Sequence, residues 1–464
     1  MKILLIEDED RGVRQARESI EHVFGSVDVR VAGSLDEAKT AVAEEGFDLA
    51  ICDLRITSNA TVLDANEAHG LAAYAELHAN APGTPVVFLS AFLKVENTSS
   101  QASRGGIADV FGLVDFPLTQ VVPKGDPGMF EDYLAQIKAG VDVLGSCVIE
   151  EAERFDEMFV RAAQMYGLTI ESHRAYITNM GGLSGAHVGL VRYLHASHGE
   201  VTVVIKLDRH ERVHQEVDRY NRLVAPRLAV GDFAPQLKTY KAGLRGKTAV
   251  VSSVASPTSA SLFSRLAHPP VEVDISSVRS ALSGWSAISG HLVTTLGDYR
   301  RSVIPDELFS RLPGFSVELL GLDEMPLHLS LKLGHGDFHG ENVLIDDRGR
   351  AVVIDFADCD VFPAGLDAAA LELSLYAHPS SPIDDVWPDG DFSSWVDVET
   401  FTSKSPWASF IFDVREWAKL EANEVQALSV YYVQACWLMK HGGSGAIRSG
   451  AVAASALSRL EVLA

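Results

Sequence analysis

The sequence predicts an α/β module followed by an α+β module, and three observations carry this. Over roughly the first 144 residues, short apolar strands ending in polar residues alternate with helical patterns. β-branched runs punctuated by glycine follow, and beyond Trp417 the residues Leu428, Tyr431, Tyr432, Ala435, Cys436 and Met439 fall at helical intervals.

In the first module Met1-Lys2-Ile3-Leu4-Leu5-Ile6 is a strand ending in Glu7 and Asp8, and Phe47-Asp48-Leu49-Ala50-Ile51-Cys52 is one ending in Asp53. Pro85-Val86-Val87-Phe88-Leu89 ends at Ser90, and Gln120-Val121-Val122-Pro123 ends at Lys124. Helical patterns over residues 11–24 and 34–45 separate the first strands. Such alternation builds a parallel sheet whose sites form at the C-terminal strand ends, where all five polar residues fall. Acids clustered there bind a divalent ion. The ion and a nearby Lys screen an Asp oxygen so that it can accept a phosphoryl group.

On these residues the segment 1–144 resembles the receiver domain of bacterial two-component response regulators. The resemblance implies a (βα)5 flavodoxin-like fold and phosphorylation of Asp53 by a histidine kinase or a small phosphodonor. It makes Glu7 and Asp8 the acidic pair and Ser90 and Lys124 the switch residues. Mg²⁺ would be held by Asp8, Asp53 and the Arg55 carbonyl, with Glu7 acting through water. The sequence departs from the pattern in its long 55–70 loop and 90–124 interval, in Gly125 where Pro is common, and in Val121 where a switch aromatic often sits.

Residues 145–166 read as a linker helix, with Ile149, Phe155, Met158, Phe159 and Ala162 partly periodic. It could serve as a dimerisation stalk, leaving a homodimer possible, as a lever, or as a plain connector. Gly181, Gly182, Ser184 and Gly185 then form a glycine-rich turn between strands, of the kind that lets backbone N–H groups approach phosphate oxygens. Thr202-Val203-Val204-Ile205-Lys206 is a β-branched strand with a terminal Lys, similar to the strand lysine that pairs nucleotide phosphates. Glu216 in the following helical pattern is the candidate to anchor Lys206, with Glu211 as runner-up. A last strand at 249–254, a hinge at 255–260 and a helix at 262–266 complete this part.

The densest chemistry lies in His335-Gly336-Asp337-Phe338-His339-Gly340-Glu341-Asn342, followed by Ile354-Asp355-Phe356. Val343-Leu344-Ile345 and Ala351-Val352-Val353-Ile354 flank a turn, so a hairpin brings Asn342 and Asp355 to the same end. In-line transfer of a phosphoryl group needs a carboxylate to orient and deprotonate the acceptor, a role for Asp337. It also needs oxygen ligands for the nucleotide's Mg²⁺, a role for Asn342 and Asp355.

This pattern resembles the aminoglycoside phosphotransferase and choline kinase branch of the protein-kinase-like fold. The resemblance implies a mainly β N-lobe over 167–260, a helical C-lobe over 261–464, ATP and Mg²⁺ as cofactors, and a hydroxyl on a small molecule or protein as acceptor. Asp367 falls where the family often has a structural Asp, and Ala357 replaces the usual Gly after Asp355-Phe356.

Composition narrows the partners. With 39 basic against 63 acidic residues the net charge is −24, which disfavours nucleic-acid binding. The four cysteines lack metal-ligand spacing, Met1 to Asp10 turns acidic too early for a signal peptide, and no apolar run approaches a membrane span. A cytoplasmic response regulator with an ATP-dependent phosphotransferase output, gated at Asp53, is the leading expectation. A nucleotide-binding pseudokinase that recruits partners is the alternative. Acceptor identity is not encoded legibly in residues 269–329 or 384–428.

Overall fold

The computed structural model describes residues 1–90, 106–180, 185–195, 199–254, 259–269, 273–313, 315–403 and 405–464. The chain divides into two compact units, residues 1–214 with 236–254 and residues 215–235 with 255–464.

In the first unit, β1 (Lys2–Ile6), β2 (Asp28–Ala32), β3 (Leu49–Asp53) and β4 (Val86–Ser90) form a parallel sheet, interleaved with α1 (Asp10–Phe24), α2 (Leu35–Glu44) and α3 (Glu67–Asn80). Ser34 caps α2 by accepting the Glu37 N–H, and Asn66 caps α3 by accepting that of Ala68. All five residues of β3 are buried, as a parallel strand covered on both faces must be.

The long 90–124 interval contains an antiparallel hairpin, β5 (Ile107–Val110) and β6 (Leu113–Pro117), before β7 (Thr119–Pro123) closes the sheet in the order β2-β1-β3-β4-β7. That is the flavodoxin-like order. α4 (Pro127–Leu144) follows, with Pro in its first turn and Asp126 as cap.

A second sheet in this unit runs β12-β13-β11-β10-β9-β8. Its strands are β8 (Val148–Glu150), β9 (Arg174–Asn179), β10 (His187–His195), β11 (Gly199–Arg209), β12 (Gln236–Tyr240) and β13 (Lys247–Ser253). The linker therefore differs from a continuous helix. Val148, Ile149 and Glu150 add a parallel strand to β9, and α5 (Glu157–Thr169) starts only where Asp156 accepts the Met158 and Phe159 N–H groups. β11 also extends beyond the expected strand end, so Lys206 sits mid-strand opposite Val188 and Val250.

The hairpin explains why the 90–124 interval is long. At its turn Phe111 (φ 51°) and Gly112 (φ 82°) are both left-handed, the geometry of a type I′ turn. Phe111 is fully buried in a cluster that also contains Ile3, Leu134, Phe159, Tyr193 and Val251, so the parallel sheet and the six-stranded sheet share one core. Arg161 stacks over the Phe111 ring at 5.2 Å. Backbones also approach closely here: a Cβ on Gly83 would lie 2.0 Å from the Lys241 carbonyl oxygen, and the Gly243 N–H donates to the Gly83 carbonyl at 3.1 Å.

α6 (His210–Arg219) leads from the first unit into the second. There α7 (Leu262–Leu266), α8 (Ile275–Ala281), α9 (Leu296–Val303) and α10 (Asp306–Phe309) precede the hairpin of the motif, β17 (Val343–Ile345) and β18 (Ala351–Val353), which pairs with β14 (Ala260–Ser261). A three-stranded sheet joins them: β15 (Ile288–Thr295), β16 (Pro326–Gly334) and β19 (Asp360–Pro363).

The chain ends in α11 (Leu366–Ala377), α12 (Ile383–Val386), α13 (Val398–Thr402), α14 (Ala408–Glu421), α15 (Glu424–Leu438) and α16 (Gly443–Leu463). α11 is buried from Asp367 to Ala377, which requires its Glu372 to be fully paired. Glu372 accepts hydrogen bonds from Tyr376 (2.8 Å), Trp395 (2.8 Å), Arg415 (2.8 Å) and Tyr431 (2.7 Å).

Candidate functional site

β16 delivers the chain into the motif loop, and α11 holds that loop from beneath. The buried carboxylate of Asp367 accepts the His335 N–H at 2.9 Å, and His335 Nε2 donates to the Ile354 carbonyl at 2.9 Å. Burial pushes the Asp367 carboxyl above its ordinary range. Gly336 turns the backbone with φ 82°, and a Cβ there would strike the Asp358 carbonyl oxygen at 2.4 Å. The turn separates two neighbouring side chains: Phe338 is buried edge-on against Trp417, whereas the Asp337 carboxylate is 61% exposed.

Asn342 and Asp355 stand at the same end of the β17–β18 ladder, since Val343 is opposite Val353 and the Ile354 N–H donates to the Asn342 carbonyl at 3.0 Å. The Asn342 amide nitrogen donates to the Asp337 carbonyl at 2.9 Å and lies 3.1 Å from His339 Nε2. Its Oδ1 makes no hydrogen bond among the described residues and suits a hard cation.

Asp355 adopts φ 61°, a left-handed conformation that costs a non-glycine residue free energy and tends to be kept at functional positions. Phe356 fixes it from behind, packing edge-on against Trp285 (5.9 Å) and Phe233 (6.3 Å) and 5.2 Å from the His335 ring. Next to Asp337, His339 Nε2 lies 3.5 Å from the carboxylate and stacks on His378 at 4.4 Å. The hydrogen bond from His339 holds the Asp337 carboxyl below its usual range, so it stays ionised at neutral pH.

Of the expected nucleotide contacts, Gly181, Gly182 and Ser184 lie outside the described residues. Gly185 has φ 79°, Lys206 sits in β11 of the first unit, and the buried Glu216 of α6 belongs to the second.

The first unit gathers its own acids where β1 and β3 end. One carboxylate oxygen from each of Glu7, Asp8 and Asp53 lies within 4.8 Å of the others, the only such group of potential metal ligands among the described residues. Lys124, just past β7, donates to Glu7 Oε2 and to Asp53 Oδ2, both at 2.8 Å. Burial pushes Glu7 above the ordinary carboxyl range, and burial likewise raises Asp8. Lys124 keeps its charge because the Asp53 and Glu7 carboxylates outweigh the cost of burying it. Three crowded acids with one ammonium leave negative charge that a divalent cation would neutralise. Ser90 is buried at the end of β4, the neighbouring strand. Sequence reasoning missed Thr57, whose N–H donates to Asp8 Oδ2 at 3.2 Å, because the 55–70 loop carries no periodic signal.

Comparison with solved structures returns weak overlaps at both ends. The CheY-like receiver domain protein of Methanospirillum hungatei JF-1 is 17% identical and covers 30% of this chain and 96% of its own, with a TM-score of 0.23. Aminoglycoside phosphotransferase APH(4)-Ia is 12% identical and covers 64% and 98%, with a TM-score of 0.36. The amicoumacin kinase hAmiN, in complex with AMP-PNP, Ca²⁺ and Ami, is 14% identical and covers 56% and 78%, with a TM-score of 0.30. No curated protein matches the chain. No helix among the described residues is long and apolar enough to cross a membrane. Residues 294–387, a span that includes Asp337, Asn342, Asp355 and Asp367, match the model of the phosphotransferase enzyme family.

Proposed function

We propose that this chain is a response regulator whose output is an ATP- and Mg²⁺-dependent phosphotransferase, acting on a hydroxyl of a small molecule or protein and gated by phosphorylation of Asp53. The observation that carries the reading is the ladder end where Asn342 Oδ1 and the left-handed Asp355 stand together, braced through the Asn342 amide to the loop bearing Asp337. Magnesium bound there would neutralise nucleotide phosphate charge during transfer. Asp337, ionised and exposed, would accept the proton of the acceptor hydroxyl, and His339 would keep the carboxylate oriented. His335, held by Asp367 and Ile354, fixes the loop carrying Asp337. In the first unit Asp53 would take a phosphoryl group from a histidine kinase or a small phosphodonor, with Lys124 balancing its charge.

The test is Mg²⁺-dependent ATP turnover by the full chain, with and without acetyl phosphate, in wild type, Asp355→Ala and Asp53→Ala. Loss of turnover in Asp355→Ala and loss of the acetyl phosphate response in Asp53→Ala support the reading. Full turnover by Asp355→Ala rejects catalysis at this site. Tight ATP binding without turnover in any variant favours the partner-recruiting pseudokinase.

A further inference from the structure

Behind the motif loop, on the side of Phe338 rather than of Asp337, the second unit has a cleft of about 690 Å³ between α8, β16 and the end of α14. Its volume lies in the range of small-molecule sites, about 300–1,000 Å³. The buried part of its lining includes Trp417 and Lys332, and the exposed part carries Arg279 with the hydroxyls of Ser280, Ser283 and Ser286.

Lys332 is the informative residue. Its side chain is 4% exposed in a chain that could have placed an apolar residue there, and its ammonium has one described acceptor, Glu421 Oε1. An ammonium has three donors, so a buried one with a single acceptor needs more oxygen from the cleft. Glu421 cannot give it. Its Oε1 also takes the Trp417 indole N–H at 2.8 Å, and its Oε2 takes the Gly365 N–H at 3.1 Å. Glu421 thus balances one positive charge, while Arg279 forms no ion pair among the described residues despite the acidity of the chain. The cleft offers the guanidinium of Arg279 with no ion pair among the described residues, further N–H donors of Lys332 at depth, serine hydroxyls at its mouth, and apolar wall at Leu282, Ile288 and Leu420.

We propose that this cleft is a second ligand site, distinct from the one around Asp337, that binds a small organic anion: a carboxylate or phosphate group on an apolar body. The anion would sit between Lys332 and Arg279, and its body would lie on Trp417. The site borders the supports of the catalytic loop. Lys332 lies three residues before His335 on the strand that feeds the loop, Glu421 holds the N-cap of α11 from which Asp367 grips His335, and Trp417 backs Phe338. Occupancy would therefore adjust the position of Asp337 without touching it.

The experiment follows the indole ¹⁵N–¹H signal of Trp417, assigned with Trp417→Phe, in the full chain without nucleotide. Phenyl phosphate and phenylacetate are titrated as probes, with benzyl alcohol and phenethylamine as neutral and cationic counterparts. Saturable shift of that one indole signal by at least one anion, and by neither counterpart, is expected. Which anion binds tighter distinguishes a phosphate from a carboxylate ligand. Arg279→Glu, an exposed change that leaves the fold intact, should weaken binding at least about tenfold, the size of a lost charge-assisted contact. Lys332→Met should abolish binding wherever its thermal unfolding remains cooperative. No saturable shift with either anion, an equal response to phenethylamine, or unchanged affinity in Arg279→Glu overturns the site. None of these outcomes depends on whether the chain transfers phosphate.

Discussion

Asp48 and Arg245, 197 residues apart, are joined by two parallel hydrogen bonds, Nε to Oδ1 at 2.9 Å and Nη2 to Oδ2 at 2.8 Å. Arg161 adds a third contact to Oδ1 at 2.5 Å, and the Lys2 N–H donates to Oδ2 at 2.7 Å. The carboxylate has no solvent exposure. It lies where β3 begins, whereas Asp53 lies where β3 ends, so the two sheets of the first unit are pinned at the end of the parallel sheet remote from Asp53.

Asp48→Ala would leave two arginines largely buried without their carboxylate. A cost of about 3–5 kcal/mol is expected, as for other broken buried pairs. Urea unfolding followed by fluorescence would register it as a lower midpoint, and an unchanged midpoint would show that the clamp contributes nothing.

The same residue sets an acid sensitivity. Burial alone would raise the Asp48 carboxyl, but hydrogen bonding to Arg245 and the charge of Arg161 outweigh it and bring the pKa down from 3.8 to about 2. A carboxyl depressed on folding stabilises the native state above its unfolded pKa, and this contribution is lost as pH falls through the folded value. The shift corresponds to about 2 kcal/mol, lost between about pH 4 and pH 2. Asp48→Asn should flatten this part of the stability profile measured by thermal melts.

Phe111→Ala tests the hairpin wedge. Truncating a buried aromatic costs about 3–5 kcal/mol. Relief of the left-handed strain is not available to Ala, and Phe111→Gly should therefore be the less damaging of the two once the lost ring is accounted for. Equal melting temperatures for wild type and Phe111→Ala would contradict a load on this ring.

Asp367→Asn should be tolerated, because burial already penalises the charged carboxyl and the amide oxygen can still accept the His335 N–H. Asp367→Ala should cost about 1–3 kcal/mol by leaving a buried donor unsatisfied. It should also lower turnover, if the Proposed function holds, without changing ATP affinity.

If the Proposed function holds, Asp337→Asn keeps the shape of the loop but removes the base. Turnover should fall about 10²–10⁴-fold with ATP binding retained, as measured by coupled ADP release and calorimetry.

Much of this was legible in the residues themselves. The strand ends carrying Glu7, Asp8, Asp53, Ser90 and Lys124 were readable because period and polarity change abruptly there, and the β17–β18 hairpin was readable from its turn. The six-stranded sheet's entry was not. Val148-Ile149-Glu150 is too short to separate from the helical pattern after it, and only its pairing with β9 makes it a strand. Asp48, Phe111 and Lys332 were equally hidden. Each gets its role from partners far along the chain: Arg245, the cluster around α5, and Glu421. The left-handed backbone of Asp355 had no sequence signal, since aspartate marks such positions only weakly.

The buried hairpin tip also decides how this protein can be cut. Trimming residues 1–144 to express the rest alone would remove one wall of a continuous apolar interior and expose Phe159, Tyr193 and Val251 to water, a recipe for insoluble material. By the same logic, exchanging the N-terminal module for another of its kind would succeed only with a replacement that brings its own tip and its own carboxylate for Arg161 and Arg245. The two halves of this unit share one interior and are expected to fold as one.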